Sequence, residues 1–180
     1  INATVNSENL VVNNCGQANL GVFKGGNYTF LHATFANYWN LNSTLPSFGI
    51  YATNEYNNGT STEQGALTLN LQNSIVYTER NNAIQFKPTT GQTFNYFIKN
   101  CLVKFDAANS GFTWDGNAKI VNSIKNEDPK FENYFTQKMN LRVKATSPAK
   151  AKGKVSTAAL VSLDIVKVNR TSNPTIGAYQ

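Results

Sequence analysis

Phe97-Ile98-Lys99-Asn100-Cys101-Leu102-Val103 sets two short apolar segments on either side of an asparagine followed by a small residue. The same arrangement recurs at Val12-Asn13-Asn14-Cys15, Phe30-Leu31-His32-Ala33-Thr34-Phe35, Asn70-Leu71-Gln72-Asn73-Ser74-Ile75 and Ile120-Val121-Asn122-Ser123-Ile124. Aligned, these runs form a column of Asn14, His32, Asn73, Asn100 and Asn122, followed by a column of Cys15, Ala33, Ser74, Cys101 and Ser123. Successive members lie 18, 41, 27 and 22 residues apart. The unit is therefore about twenty residues with variable insertions, and no helix-length pattern fits between its members.

Three short strands fit each interval. Residues 82–87 and 94–99 alternate apolar and polar positions (Ile84, Phe86; Phe94, Tyr96, Ile98) and flank the turn Pro88-Thr89-Thr90-Gly91, with a third strand at 101–105. The same division gives strands at 19–23, 27–31 and 33–38, and again at 111–114, 118–121 and 123–125. Three strands per turn with like residues stacked describe an all-β, right-handed parallel β-helix, a solenoid with three short strands per coil. Asparagine suits the bend because it tolerates left-handed backbone and its amide can bond the residue one coil above. On this reading residues 1–127 form about four to five coils, with long loops at 39–46 and 54–66. Residues 128–180 break the repeat and form a C-terminal cap on the last coil, with 158–168 crossing or extending it and Asp164 and Arg170 anchoring it.

Composition agrees with β-structure. Of 180 residues 27 are asparagine, 41% are hydrophobic and 14% charged, and no apolar run approaches the roughly 18 residues of a membrane helix. The net charge of +6 is concentrated in residues 119–170, which hold eleven of the sixteen basic residues against four acids. The lysines there are interrupted by Ala, Ser and Val, which argues for a solvated basic surface and against nucleic acid as a partner. If Cys15 and Cys101 share a column three coils apart, they lie roughly 14 Å from each other, too far for a disulfide.

The runs Thr34-Phe35-Ala36-Asn37-Tyr38-Trp39, Asn73-Ser74-Ile75-Val76-Tyr77, Asn100-Cys101-Leu102-Val103-Lys104 and Asp128-Pro129-Lys130-Phe131 resemble the right-handed parallel β-helix repeat proteins secreted by bacteria. The tail resembles the C-terminal part of the choice-of-anchor Q domain proteins through Leu141, Ser147-Pro148-Ala149 with Gly153, Asp164 with Arg170, and Ile176-Gly177-Ala178-Tyr179. The likeness runs from about residue 10 to the end. It departs at Lys167, where a glycine is common, at Gln180, where the family ends on an acid, and at Lys150 and Lys152. It implies an extracellular or cell-surface bacterial protein, held to a membrane only through an N-terminal cysteine anchor outside these residues. It also implies that Gln180 is a true C-terminus and that Ile1 lies inside a longer β-helix.

Parallel β-helices are often polysaccharide lyases or hydrolases, which directs attention to the first strand of each coil. With Val22, Ile50, Ile84 and Phe112 pointing inward, Phe23, Tyr51, Gln85, Lys87 and Thr113 point outward. Calcium needs six to eight oxygen ligands and carboxylate-pair hydrolysis needs two acids facing each other. The scattered Glu55, Glu63 and Glu79 supply neither, so no catalytic residue, metal site or cofactor is assigned. Tyr38, Trp39, Tyr51 and Tyr56, with Lys87 and the amides of Asn37, Asn40, Asn42 and Asn54, are the candidate ligand-binding residues, because aromatic faces stack on sugars and amides bond hydroxyls. The expected function is a non-catalytic surface module, a scaffold or a binder of polysaccharide. One alternative is the terminal part of a lyase or glycoside hydrolase with its acids upstream. Another is a subunit that meets other surface proteins.

Overall fold

The computed structural model describes residues 1–39, 48–135 and 138–180. The loop expected at 39–46, with Asn40 and Asn42, therefore lies outside the described residues apart from Trp39. The chain is all-β and its main sheets are parallel. Strands β1 (Ala3–Glu8), β2 (Val11–Asn13) and β3 (Ala18–Val22) each open one sheet. The next three, β4 (Gly26–Leu31), β5 (Thr34–Asn37) and β6 (Phe48–Thr53), pair with them in the same order. After a small antiparallel pair, β7 (Glu55–Asn57) and β8 (Thr62–Gln64), the circuit repeats with β9 (Leu67–Gln72), β10 (Ile75–Thr78) and β11 (Ile84–Lys87). It repeats again with β12 (Phe94–Lys99) and β13 (Leu102–Val103), then with β14 (Ile120–Val121) and β15 (Ile124–Lys125). The first sheet is ordered β1-β4-β9-β12-β14, the second β2-β5-β10-β13-β15 and the third β3-β6-β11.

Register fixes the bend column. Glu8, Leu31, Gln72, Lys99 and Val121 are aligned across the first sheet, so the residues that follow them are Asn9, His32, Asn73, Asn100 and Asn122. All five have left-handed backbone, with φ between 48° and 53°. The first member is thus Asn9 and not Asn14, which sits one corner later, after the second-sheet strand β2. The two corners look alike for a local reason. Directly after the bend column Ser74, Cys101 and Ser123 each donate to the carbonyl two residues back, Gln72, Lys99 and Val121. Cys15 makes the same contact with Asn13 at 3.6 Å, so Asn-small marks a bend without saying which one. Both cysteines are free, and they occupy different corners.

The two faces of each sheet explain the sequence patterns. In β9, Leu67, Leu69 and Leu71 are buried while Thr68, Asn70 and Gln72 are half-exposed, the alternation of a sheet with one wet face. In β5 all four residues are buried, as are both residues of β13 and three of the four in β10. Phe35, Val76 and Val103 enter the central core, while Ala36, Ile75 and Leu102 join a second core on the opposite face. The C-terminal segment supplies that second core through β16 (Phe131–Asn133), β17 (Asn140–Val143), Ala149 and Ile176.

This corrects the expected position of the tail. Instead of sitting on the last circuit, residues 153–178 run along the bend column toward the first. Lys154 bonds both ends of the Asn73 amide (2.7 and 3.0 Å), Gly177 N–H donates to Asn73 O (2.7 Å), and Asn9 donates to Leu163 O (2.9 Å). Residues 158–168 accordingly hold the end of a short helix, α1 (Val155–Leu160), and turns along this corner rather than a strand across the end. Residues 111–114 are irregular and do not form a strand, although Phe112 and Trp114 still pack on the core.

A candidate binding cleft on the third sheet

Along β3, β6 and β11 the rows Leu20, Ile50, Ile84 and Val22, Ala52, Phe86 face the core. Between them Gly21, Tyr51 and Gln85 form a row in register on the outer side, where they line a cleft of about 440 Å³ with Gln17, Ala18, Phe23, Phe48 and Lys87. Gly21, rather than Phe23, is the register partner of Tyr51. Phe23 folds back so that a Cβ on Gly21 would stand 3.1 Å from its ring, which ties the smooth floor to that glycine.

Three aromatic rings make one wall. Tyr51 lies 5.6 Å from Phe23 and 6.0 Å from Phe48, both tilted, within the range where rings attract each other. Lys87 holds its ammonium 5.8 Å from the Tyr51 ring centre, a cation–π distance, and is the one charged residue among the described lining residues. Gln85 donates to Asn109 O (3.1 Å), which fixes its amide at the mouth. Tyr56 meets the wall from outside, edge-on to Phe23 at 6.3 Å. It is carried by the β7–β8 hairpin, so the expected loop at 54–66 is in fact paired strands. Asn58 closes the turn by accepting the N–H groups of Thr60 and Ser61, and a Lys24–Glu63 ion pair ties the hairpin to the end of β3.

Other expected site residues lie elsewhere. Tyr38 stacks on Tyr134 (4.6 Å) and meets Phe131 edge-on (6.2 Å), so it belongs to the second core; burial pushes its hydroxyl pKa well up. Trp39 donates its backbone N–H to Asn37 Oδ1 (3.2 Å) beside the undescribed residues. Asn37 spends its amide on Cys15 O and Phe48 O. Asn54 Oδ1 accepts the Thr89 N–H at 2.7 Å.

Of the bend column, Asn9, His32 and Asn73 lie under the tail, while Asn122 is exposed and Asn100 half-buried. His32 is fully buried. Its Nδ1 faces Gly177 O (3.3 Å) and its Nε2 accepts from the Asn73 amide (2.9 Å), which requires the neutral Nδ1–H tautomer. Burial, followed by the charge of Arg170, lowers its pKa to about 3. A base held this far down and enclosed on every side is a structural histidine. Arg170 donates to Gly177 O, Ala178 O and Asn9 Oδ1 (3.2, 3.0 and 2.8 Å). Asp164 receives the N–H groups of Val166, Val168 and Gln180 (2.9, 2.7 and 2.8 Å). Arg170 thus spends its bonds on backbone and on Asn9, Asp164 spends its own on backbone alone, and no hydrogen bond joins the two.

Phe48 was hidden from the alternation rule. Gly49 and Ile50 N–H both donate to Ala83 O (2.9 Å each), a local irregularity, and a Cβ on Gly49 would face Val76 inside. The parity of the strand slips there, and Phe48, two residues before an inward Ile50, ends beside Tyr51. Gln17 carries no pattern that marks it.

Chemically the cleft offers flat apolar rings, amides and one ammonium. Rings and amides of this kind can hold a hydroxylated ligand, and among the described lining residues there is no carboxylate. A second recess of about 490 Å³, lined by Asn81, Lys104, Phe105, Asp106, Ala107, Lys125 and Asn126, has its cations engaged. Lys104 sits over Tyr77 at 5.2 Å and donates to Thr78 O and Glu79 O, and Lys125 pairs with Asp115 at 3.0 Å. The Cys101 thiol is pushed up to about 12 by burial and is no nucleophile. Among the described residues no cluster of three or more His, Cys, Asp or Glu could hold a metal ion. No family model, curated protein or solved structure matches the chain.

Proposed function

We propose that the chain is a non-catalytic module of a right-handed parallel β-helix, of the secreted or cell-surface bacterial type, whose third-sheet cleft binds a polysaccharide. The cyclic order in which the strands visit three parallel sheets supports the solenoid, and the strong right-handed preference of parallel crossovers supports its hand. The resemblance of the tail to choice-of-anchor Q domain proteins supports the surface location. The observation that carries the binding reading is Tyr51, flanked by Phe23 and Phe48 and capped by Lys87, in an open cleft with amides at its edge. Rungs spaced about 4.8 Å apart would present equivalent positions to successive units of a linear polymer. Affinity electrophoresis of the chain through gels containing neutral and acidic polysaccharides tests it. Retardation by one polymer supports the reading, and migration unchanged in every gel removes it.

A further inference from the structure

The tail leaves an unusual surface exposed. Among the described residues eleven large apolar side chains are exposed, and six of them are Val155, Leu160, Leu163, Ile165, Val166 and Val168, at 39% to 71%. All six lie within residues 155–168, the ridge that the tail forms along the bend column. Residues 154–163 run from Asn73 to Asn9, two rungs of the stack, so the stretch spans about 10 Å. The Leu163–Asn169 bridge and the Asp164 bonds to Val166 and Val168 fold residues 163–169 back at its end. Lys152, Lys154 and Lys167 are exposed on the same stretch. Asp164, the only acid between residues 133 and 180, is buried and spent on backbone N–H groups.

We propose that this ridge docks on an anionic lipid bilayer. Aliphatic side chains flanked by lysines, with no exposed acid within residues 133–180 to repel phosphate, are the composition of a surface that lies in the headgroup layer. The same composition disfavours a protein partner. Residues 150–168 contain no aromatic residue and no arginine, the residues that anchor protein interfaces, and are rich in lysine, which such interfaces avoid. The ridge is on the bend column, away from the third-sheet cleft, so it stands or falls independently of polysaccharide binding.

Flotation of the whole chain with phosphatidylcholine vesicles, with and without phosphatidylglycerol, at low and high salt, tests this. The chain is expected to float with the anionic vesicles only and to be released by salt. Lys152→Glu with Lys154→Glu should weaken binding about tenfold or more, and Leu160→Ser with Val166→Ser should weaken it while leaving thermal unfolding unchanged, since both side chains are exposed. Failure to float with anionic vesicles, equal flotation with both kinds, or binding indifferent to both double variants overturns the proposal. Retention on immobilised polyglutamate without flotation overturns it in favour of an acidic protein partner.

Discussion

Asn73 donates its side-chain amide to His32 Nε2 at 2.9 Å, joining two neighbouring members of the bend column. The same amide group closes on Lys154 of the tail at 2.7 and 3.0 Å, and His32 closes on Gly177 at 3.3 Å. Two side chains therefore splice the strand stack to the segment that covers it, and only a neutral imidazole can do so.

Acid should loosen that splice. The pKa of His32 falls from 6.5 unfolded to about 3 folded, so the unfolded state binds the proton first. The stabilisation is fully present above about pH 6.5 and is lost as pH falls toward 3, at up to about 1.4 kcal/mol per pH unit. His32→Asn, which keeps a residue at ease with φ near 52°, should flatten this part of the profile. Urea midpoints between pH 7 and 4 for both proteins check it; parallel profiles would refute it.

Gly177→Ala should destabilise the tail by about 3 kcal/mol. Its φ is +106°, and a Cβ there would stand 2.9 Å from Ile75 Cδ1 and 3.0 Å from Thr34 Oγ1. Gly59→Ala is the comparison: φ is +92° but nothing lies within 4 Å, so only backbone strain remains, about 1 kcal/mol. Thermal unfolding of the two variants should rank them in that order.

Arg170→Met should cost about 1 to 3 kcal/mol, because it removes three buried hydrogen bonds and leaves Asn9 Oδ1 without its donor, while Gly177 O and Ala178 O keep His32 and the Ile165 N–H. Limited proteolysis should then cut first within residues 163–180, while the strands of the three sheets stay protected. Cleavage spread evenly over the chain would mean that Arg170 stabilises the whole fold rather than the tail.

The all-β class, the parallel sheets and four of the five bend positions were legible in the sequence, because only a few residue types sit well in left-handed backbone and Asn and His are among them. Asn9 was missed because Leu10 after it is not small, while Asn14-Cys15 repeats the local bonding of a bend at another corner. The position of the tail had a signal of its own. Thr34-Phe35-Ala36 and Ile75-Val76-Tyr77 are unbroken where β9 alternates, as strands covered on both faces are. In the cleft, Tyr51, Gln85 and Lys87 follow from alternation, whereas Phe48 depends on the irregularity at Gly49 and Tyr38 was drawn away by Tyr134.

The most direct test of the binding account is affinity electrophoresis of the chain beside Tyr51→Ala and Tyr38→Ala, through the same neutral and acidic polysaccharide gels. The account predicts retardation by at least one polymer, weakened roughly fivefold or more in Tyr51→Ala and unchanged in Tyr38→Ala, whose ring is stacked on Tyr134. Equal retardation of all three proteins, or none in any gel, would contradict a polysaccharide site in the third-sheet cleft.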